Sequence, residues 1–136
     1  METGPVPLPI QTEMVYDLSY DQVWDQLVRG LGADKGIKFD DKESGVIGIT
    51  RAFSDKEIWS YVDIGKWTKH WSSWKSFKAK TNLIVQSVAP AKTNVKVNSV
   101  IVGYRSDSKG SLSYASEYTL PSNGKLEREY LNLVAN

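Results

Sequence analysis

Residues 82–104 read Asn-Leu-Ile-Val-Gln-Ser-Val-Ala-Pro-Ala-Lys-Thr-Asn-Val-Lys-Val-Asn-Ser-Val-Ile-Val-Gly-Tyr, and this stretch decides the class of fold. Its two runs rich in branched apolar side chains, 82–89 and 94–104, predict two β-strands. Residues 90–93 separate the runs and predict a hairpin turn, because proline favours turns and lacks a backbone donor. The two strands are therefore expected to pair side by side and antiparallel.

Five further segments predict strands on either side of this hairpin. The turn at residues 42–45 separates two of them. The five segments are 14–18, 36–40, 46–52, 57–64 and 111–120. Because most of these strands follow one another with short turns, they favour an antiparallel sheet of about six to seven strands.

A helix is predicted directly after the first strand. Ser19 and Gln22 fit a capping box, in which each side chain bonds the backbone N–H of the other residue. Gly32 is suited to end the helix. Apolar side chains recur at helical spacing and form one stripe, which consists of Val23, Trp24, Leu27, Val28 and Leu31.

A second helix is predicted at the C-terminal end, over residues 125–134. Its apolar stripe consists of Leu126, Tyr130, Leu133 and Val134. Two amphipathic helices and one antiparallel sheet predict an α+β domain in which the helices cover one face of the sheet. We assign residues 14–136 to this single domain.

Residues 1–13 are expected to form a flexible tether, since three prolines within residues 4–9 favour an extended segment. No apolar run approaches the roughly 18 residues that a membrane span requires. The first residues also lack the basic and apolar regions of a signal peptide.

The residue inventory argues against an enzyme. The 136 residues contain no cysteine, which excludes thiol chemistry and cysteine-based metal sites. Histidine occurs once, as His70. Asp40 and Asp41 are adjacent, so a strand would direct them to opposite faces. No complete phosphate-binding, metal-binding or hydrolase motif occurs. The sequence therefore predicts no catalytic residue, no cofactor and no metal site.

Residues 66–80 read Lys-Trp-Thr-Lys-His-Trp-Ser-Ser-Trp-Lys-Ser-Phe-Lys-Ala-Lys and combine aromatic with basic side chains. On a helix the aromatic residues would form one stripe, as in a helix that lies on an anionic membrane. The segment could instead bind a protein partner, bind single-stranded nucleic acid, or fold its tryptophans into the core. Nucleic acid is the least favoured of these ligands. The residues predicted to form a partner or membrane surface are Lys66, Trp67, Lys69, His70, Trp71, Trp74, Lys75, Phe77 and Lys78.

Three stretches together resemble the BamC-like domain of bacterial envelope lipoproteins. They are residues 20–27 (Tyr-Asp-Gln-Val-Trp-Asp-Gln-Leu), 41–47 (Asp-Lys-Glu-Ser-Gly-Val-Ile) and 122–129 (Ser-Asn-Gly-Lys-Leu-Glu-Arg-Glu). The resemblance extends over about residues 14–134. It implies a helix-grip-like fold, a non-enzymatic role, and a location at the periplasmic face of the envelope with a tether to the membrane.

The chain departs from this family at two positions. Many relatives carry a cysteine at each, whereas Ile64 and Leu120 stand here. The resemblance therefore implies that Ile64 packs near Leu120 in place of a disulfide. Because the two cysteines are replaced, the sequence gives less support for an oxidising compartment than the sequences of those relatives do.

Two functions follow as hypotheses. The first is an envelope-type scaffold or interaction domain that binds a protein partner or a membrane through residues 66–80. The alternative is a helix-grip protein that holds a small molecule or lipid between the sheet and the last helix. That alternative requires a closed apolar cavity of roughly several hundred Å³.

Overall fold

The computed structural model describes residues 10–32, 37–54, 56–63, 74–109 and 112–134. Within these ranges the chain forms one six-stranded antiparallel sheet and two α-helices, which confirms the predicted α+β class. The strands are β1 (Glu13–Tyr16), β2 (Ile37–Asp41), β3 (Val46–Phe53), β4 (Trp74–Ala89), β5 (Lys92–Lys109) and β6 (Leu112–Leu120). The helices are α1 (Tyr20–Leu31) and α2 (Lys125–Leu131).

The long strand β5 organises the sheet. The order is β1-β5-β4-β3-β2, and β6 also pairs with β5. β1 pairs with β5 from Thr93 to Lys96, whereas β6 pairs with it from Ile101 to Lys109. The two short strands therefore lie one after the other along the same edge of β5.

Helix α1 begins with the capping box that the sequence predicts. The backbone N–H of Gln22 donates to the Ser19 hydroxyl, and the Ser19 N–H donates to the Gln22 side chain at 3.0 Å. Gly32 ends the helix with a positive φ of 59°, where its N–H donates to the carbonyl of Val28. These bonds satisfy backbone groups that a helix end would otherwise leave unpaired.

The hydrophobic core lies between the helices and one face of the sheet. Directly paired residues share a face, and the row Ile47, Leu83, Val97 is fully buried across β3, β4 and β5. Both helices direct apolar side chains onto this face. The helical residues buried there are Val23, Trp24, Leu27, Leu31, Leu126, Tyr130 and Leu131.

Helix α2 is shorter than the predicted 125–134 segment and ends at Leu131. The chain nevertheless stays packed beyond it, since Val134 is buried and Leu133 lies against the core. At the start of α2, the Ser122 hydroxyl donates to Glu127 at 2.7 Å and accepts from the Gly124 N–H at 3.1 Å. Glu127 in the first turn is also favoured by the helix dipole.

The prediction of a strand over residues 57–64 is wrong. A 3-10 helix, Ile58–Ser60, occupies this region, and Val62 makes only an isolated bridge to Ser122. Ser54 and Glu57 exchange hydrogen bonds between side chain and backbone at 3.1 and 3.3 Å, which nucleates a helical turn. The apolar side chains of this region resemble a strand pattern, but the local hydrogen bonds determine the outcome.

Two strand boundaries also differ from the sequence-based expectation. β4 begins at Trp74, eight residues before the predicted start at residue 82, so it includes the last seven residues of the basic and aromatic segment, 74–80. β1 begins at Glu13, and the Thr12 carbonyl accepts from the N–H of Val97 at 2.6 Å. The sheet therefore includes Glu13, the last residue of the segment assigned as a tether, and is hydrogen-bonded to Thr12 before it.

Candidate functional site

The predicted binding segment is divided by the structure. Its residues Lys66, Trp67, Lys69, His70 and Trp71 lie outside the described residues, and so does Ile64. The remaining predicted residues lie at the start of β4, where the chain is a strand rather than a helix.

Trp74 and Phe77 belong to the core, so neither is accessible to a partner in this structure. Trp74 is only 9% exposed, and its ring centroid lies 5.4 Å from that of Phe77. Tyr118 packs edge-on against the indole at 5.6 Å, and Gly103 provides the space beneath it. Lys75 is exposed and Lys78 is half-buried. Among the described residues that were predicted to form the binding surface, the two lysines are therefore the ones that reach solvent.

In the described structure neither helix packs its apolar stripe on the second face of the sheet, and α2 contributes Glu127 to the groove found there. Along β5 the side chains of Lys96, Asn98 and Val100 point away from the core and are largely exposed. Phe39 on β2 and Val15 on β1 are about half exposed, at 53% and 49%. We call this surface the open face.

A groove of about 830 Å³ lies on the open face, in the size range of ligand sites. Its floor contains one row of directly paired positions that runs Phe39, Gly48, Asn82, Asn98 across β2, β3, β4 and β5. Opposite side chains in such a row lie about 5 Å apart. The register therefore assembles one aromatic ring from β2 with two amides from the consecutive strands β4 and β5.

The Phe39 ring lies directly over the backbone of Gly48. A Cβ added at Gly48 would come 2.2 Å from Cε1 of Phe39, and two other ring carbons would lie within 2.7 Å. The ring can adopt this position only because residue 48 has no side chain. Gly48 is itself buried beneath it.

Polar and charged groups line the rest of the groove. Thr50 and Lys80 are paired on β3 and β4, and Val100 follows on β5. On the far side lie Glu117 and Glu127, and Glu127 is only 4% exposed. One cation and two carboxylates thus accompany a mainly uncharged lining.

Lys78, Tyr104 and Glu117 connect three strands at one end of the open face. The Lys78 ammonium lies 5.2 Å above the Tyr104 ring, a cation–π distance. The Tyr104 hydroxyl lies 3.5 Å from a Glu117 oxygen, the long limit of a hydrogen bond. Among the described residues, neither Lys78 nor Lys80 forms an ion pair.

A second polar cluster lies on the helical side of the sheet. The Arg51 guanidinium pairs with Glu129 at 3.2 Å, and the Tyr61 hydroxyl donates to the same carboxylate at 2.6 Å. Arg51 also stacks over the rings of Phe53 and Tyr61, at 4.6 and 5.3 Å. Burial, together with the hydrogen bond to Glu129, raises the pKa of Tyr61. The cluster joins β3, the 3-10 helix and α2.

A cavity of about 310 Å³ lies beside this cluster, between α1, α2 and β3. Leu31 and Leu133 form apolar walls, while Arg51 and Glu129 contribute an ion pair. A lipid would require an apolar lining, because burying an ion pair against hydrocarbon is costly. The charges of Arg51 and Glu129 already neutralise each other, so they offer a ligand no unpaired charge. This cavity is therefore the weaker ligand site.

The adjacent carboxylates Asp40 and Asp41 lie at the end of β2. Asp41 accepts from the N–H groups of Glu43 and Ser44 at 3.1 and 3.4 Å and so stabilises the turn. In the described ranges, no group of three or more acidic or histidine side chains could hold a metal ion. No helix in the described part of the chain is long and apolar enough to span a membrane.

The geometry defines an α+β domain with one helix-covered face and one open, grooved face. Comparison of the chain with protein-family models, with curated proteins and with solved structures finds no match. The resemblance to BamC-like domains, and the envelope location that it implies, stay predictions.

Sequence reasoning missed the main groove residues, Phe39, Asn82, Asn98 and Glu127. Each is ordinary by itself: a strand aromatic, two amides in alternating strands, and an acid near a helix start. The one signal in the sequence was the pairing of Gly48 with an aromatic residue on a neighbouring strand. That pairing depends on the register between β2 and β3, and the complete row depends on the registers among four strands, which single-strand periodicity does not determine.

Proposed function

We propose that this chain is a non-enzymatic binding domain that holds an extended ligand in the groove of the open face. One observation carries the proposal. The groove contains an exposed aromatic ring beside amide groups that make no hydrogen bond to another described residue. Exposed apolar side chains beside convergent polar groups are typical of binding sites.

The proposed function is that of a binding domain, as the sequence predicts, but its binding surface is the open face instead of residues 66–80. Trp74 and Phe77 pack in the core, whereas Lys78 and Lys80 lie on the open face. A role for residues 66–71 in binding a partner or membrane stays a prediction. The absence of a complete catalytic motif in the sequence supports a binding role over an enzymatic one.

A groove-filling variant tests the proposal across several classes of ligand at once. Thermal unfolding of the wild type is measured with a mixed library of short peptides, neutral oligosaccharides and fatty acids. A ligand of the folded state raises Tm by mass action. Compounds that raise the Tm of the wild type are expected to lose this effect in Asn98→Trp, because the indole fills the groove.

Asn94→Trp is the matched control. Asn94 lies on the same strand and the same face, but outside the groove. The control should keep the ligand effect that Asn98→Trp loses. A library without any stabilising compound, or compounds that stabilise both variants equally, would refute the proposed function.

A further inference from the structure

We infer that the ligand of the open-face groove is a neutral oligosaccharide. This inference rests on the proposed function and names the chemical class of the ligand. A sugar ring combines an apolar C–H face with a rim of hydroxyl groups that both donate and accept hydrogen bonds. The groove presents a matching combination along a single row of the sheet.

Phe39 supplies the platform for the C–H face. The ring lies against Gly48 and is 53% exposed, so it can be covered by a ligand without moving a core residue. The face of an aromatic ring carries partial negative charge, which attracts the slightly positive C–H groups of a sugar. Val100, 48% exposed, adds an apolar side chain to the next row of the floor, on β5.

Asn82 and Asn98 supply the groups for the hydroxyl rim. They are directly opposite each other on β4 and β5, and both are exposed. Each amide offers two donor hydrogens and one acceptor oxygen, so the pair can bind hydroxyls in either orientation. In the described structure neither side chain uses this capacity for another protein group.

Glu127 marks one end of the groove with a preoriented acceptor. Its carboxylate is held by the Ser122 hydroxyl at 2.7 Å and is almost entirely buried. A carboxylate accepts strongly from hydroxyl groups. Thr119 and Thr50 add hydroxyls to the lining.

The charges of the lining disfavour the competing ligand classes. One lysine, Lys80, stands against two carboxylates, Glu117 and Glu127, so a phosphate or polyanion gains no net attraction. An acyl chain would remove the two amides from water without offering them a hydrogen-bond partner, which costs free energy.

An added peptide strand is also disfavoured on the floor of the groove. On most of the floor β3 and β5 both pair with β4 and use its backbone groups. Strand addition requires an unpaired edge, and in the described structure the outer edge of β5 lacks a strand partner at the groove over residues 97–100 alone, between β1 and β6. Four residues are shorter than a typical strand, so a peptide would be recognised mainly by side chains.

The test is a titration of the labelled full chain with cellotetraose, maltotetraose and tetra-N-acetylchitotetraose, all neutral, followed by two-dimensional amide NMR. We expect at least one of them to shift the signals of Asn82, Asn98 and Val100. Phe39→Ala should weaken this binding by about tenfold, the size of one aromatic contact. Val15→Ala is the matched control and should bind within about twofold of the wild type, because Val15 is equally exposed but outside the groove.

A neutral peptide, Gly-Ser-Ala-Asn-Gly-Ser, and hexanoate are titrated in parallel. If either shifts the groove signals while the three sugars do not, the oligosaccharide inference is wrong and the proposed function stands. If no probe shifts them, both fail. Equal sugar affinity of Phe39→Ala and the wild type would also overturn the inference.

Discussion

The hydroxyl of Tyr16 donates a hydrogen bond to the backbone carbonyl of Leu131, and so joins the first strand to the last residue of α2. Tyr16 is fully buried, and burial raises its pKa to about 12 from the ordinary value of 10.0. The neutral phenol is therefore the form that the folded chain favours. This contact links the two ends of the described domain.

Tyr16 should make the domain unstable in alkali. Its pKa is raised on folding, so its contribution is complete below pH 10 and is lost as pH rises to about 12. The free energy of unfolding should fall by about 1.4 kcal/mol for each pH unit in this window. Urea unfolding from pH 8 to 12 measures the slope.

Tyr16→Phe provides the control for this slope. The variant loses one buried hydrogen bond and should be less stable at pH 8 by about 1–2 kcal/mol. It no longer titrates at this position, so its curve should be flatter above pH 10. The other tyrosines are unchanged in both proteins. If the free energy of unfolding falls equally with pH in the wild type and in Tyr16→Phe, ionisation of Tyr16 is not the cause of the alkaline instability.

Trp74 should behave as a core residue. Trp74→Ala removes a ring that contacts Phe77 and Tyr118, and we expect a loss of about 3–5 kcal/mol in the free energy of unfolding. Lys75→Ala, at the exposed neighbouring position, should change it by less than about 0.5 kcal/mol. Chemical denaturation compares the two variants. A mild effect of Trp74→Ala would contradict the observed packing.

The Arg51–Glu129 pair should stabilise the domain modestly. Removal of the Glu129 carboxylate also takes an acceptor from Tyr61, so Glu129→Ala should cost about 1–2 kcal/mol. Both charged side chains are partly exposed, and solvent reduces their coupling. A double-mutant cycle with Arg51→Met should therefore give a coupling of about 0.5–1 kcal/mol that decreases in high salt. A coupling near zero would mean that only the tyrosine contact matters.

Replacement of Gly48 should change the shape of the groove more than the stability of the fold. In Gly48→Ala the new methyl group would occupy the place of the Phe39 ring, and this exposed ring can swing away. We expect a loss of no more than about 1 kcal/mol in stability. Contacts between the ring and residue 48 should disappear from nuclear Overhauser spectra. Persistence of those contacts would show that the groove floor tolerates a side chain.

Much of the fold could be predicted from local patterns. Ser19 and Gln22 indicate the start of α1, and the apolar stripe from Val23 to Leu31 identifies the buried side of this helix. The strand prediction for residues 57–64 failed because reciprocal bonds between Ser54 and Glu57 impose a turn on an apolar stretch. Local hydrogen bonds can override periodicity in a segment this short.

The groove could not be predicted in the same way. Asn82 and Asn98 meet because β4 and β5 pair in one particular register, and Phe39 joins them because of two further registers. Trp74 shows the opposite case, because this residue was predicted for the binding surface and is buried in the core. A tryptophan among lysines is typical of an interface, but the irregular pairing after Trp74 directs it toward the core.

The division of β5 between two short strands has a consequence for how the chain folds. β1 precedes its pairing partner, residues 93–96, by most of the chain, whereas β4, β5 and β6 pair with neighbours in sequence. Contacts between distant segments form slowly, because a long loop must close first. The β4–β5–β6 meander can therefore assemble early, and β1 with α1 is added last. During synthesis, the first strand must wait until β5 has left the ribosome.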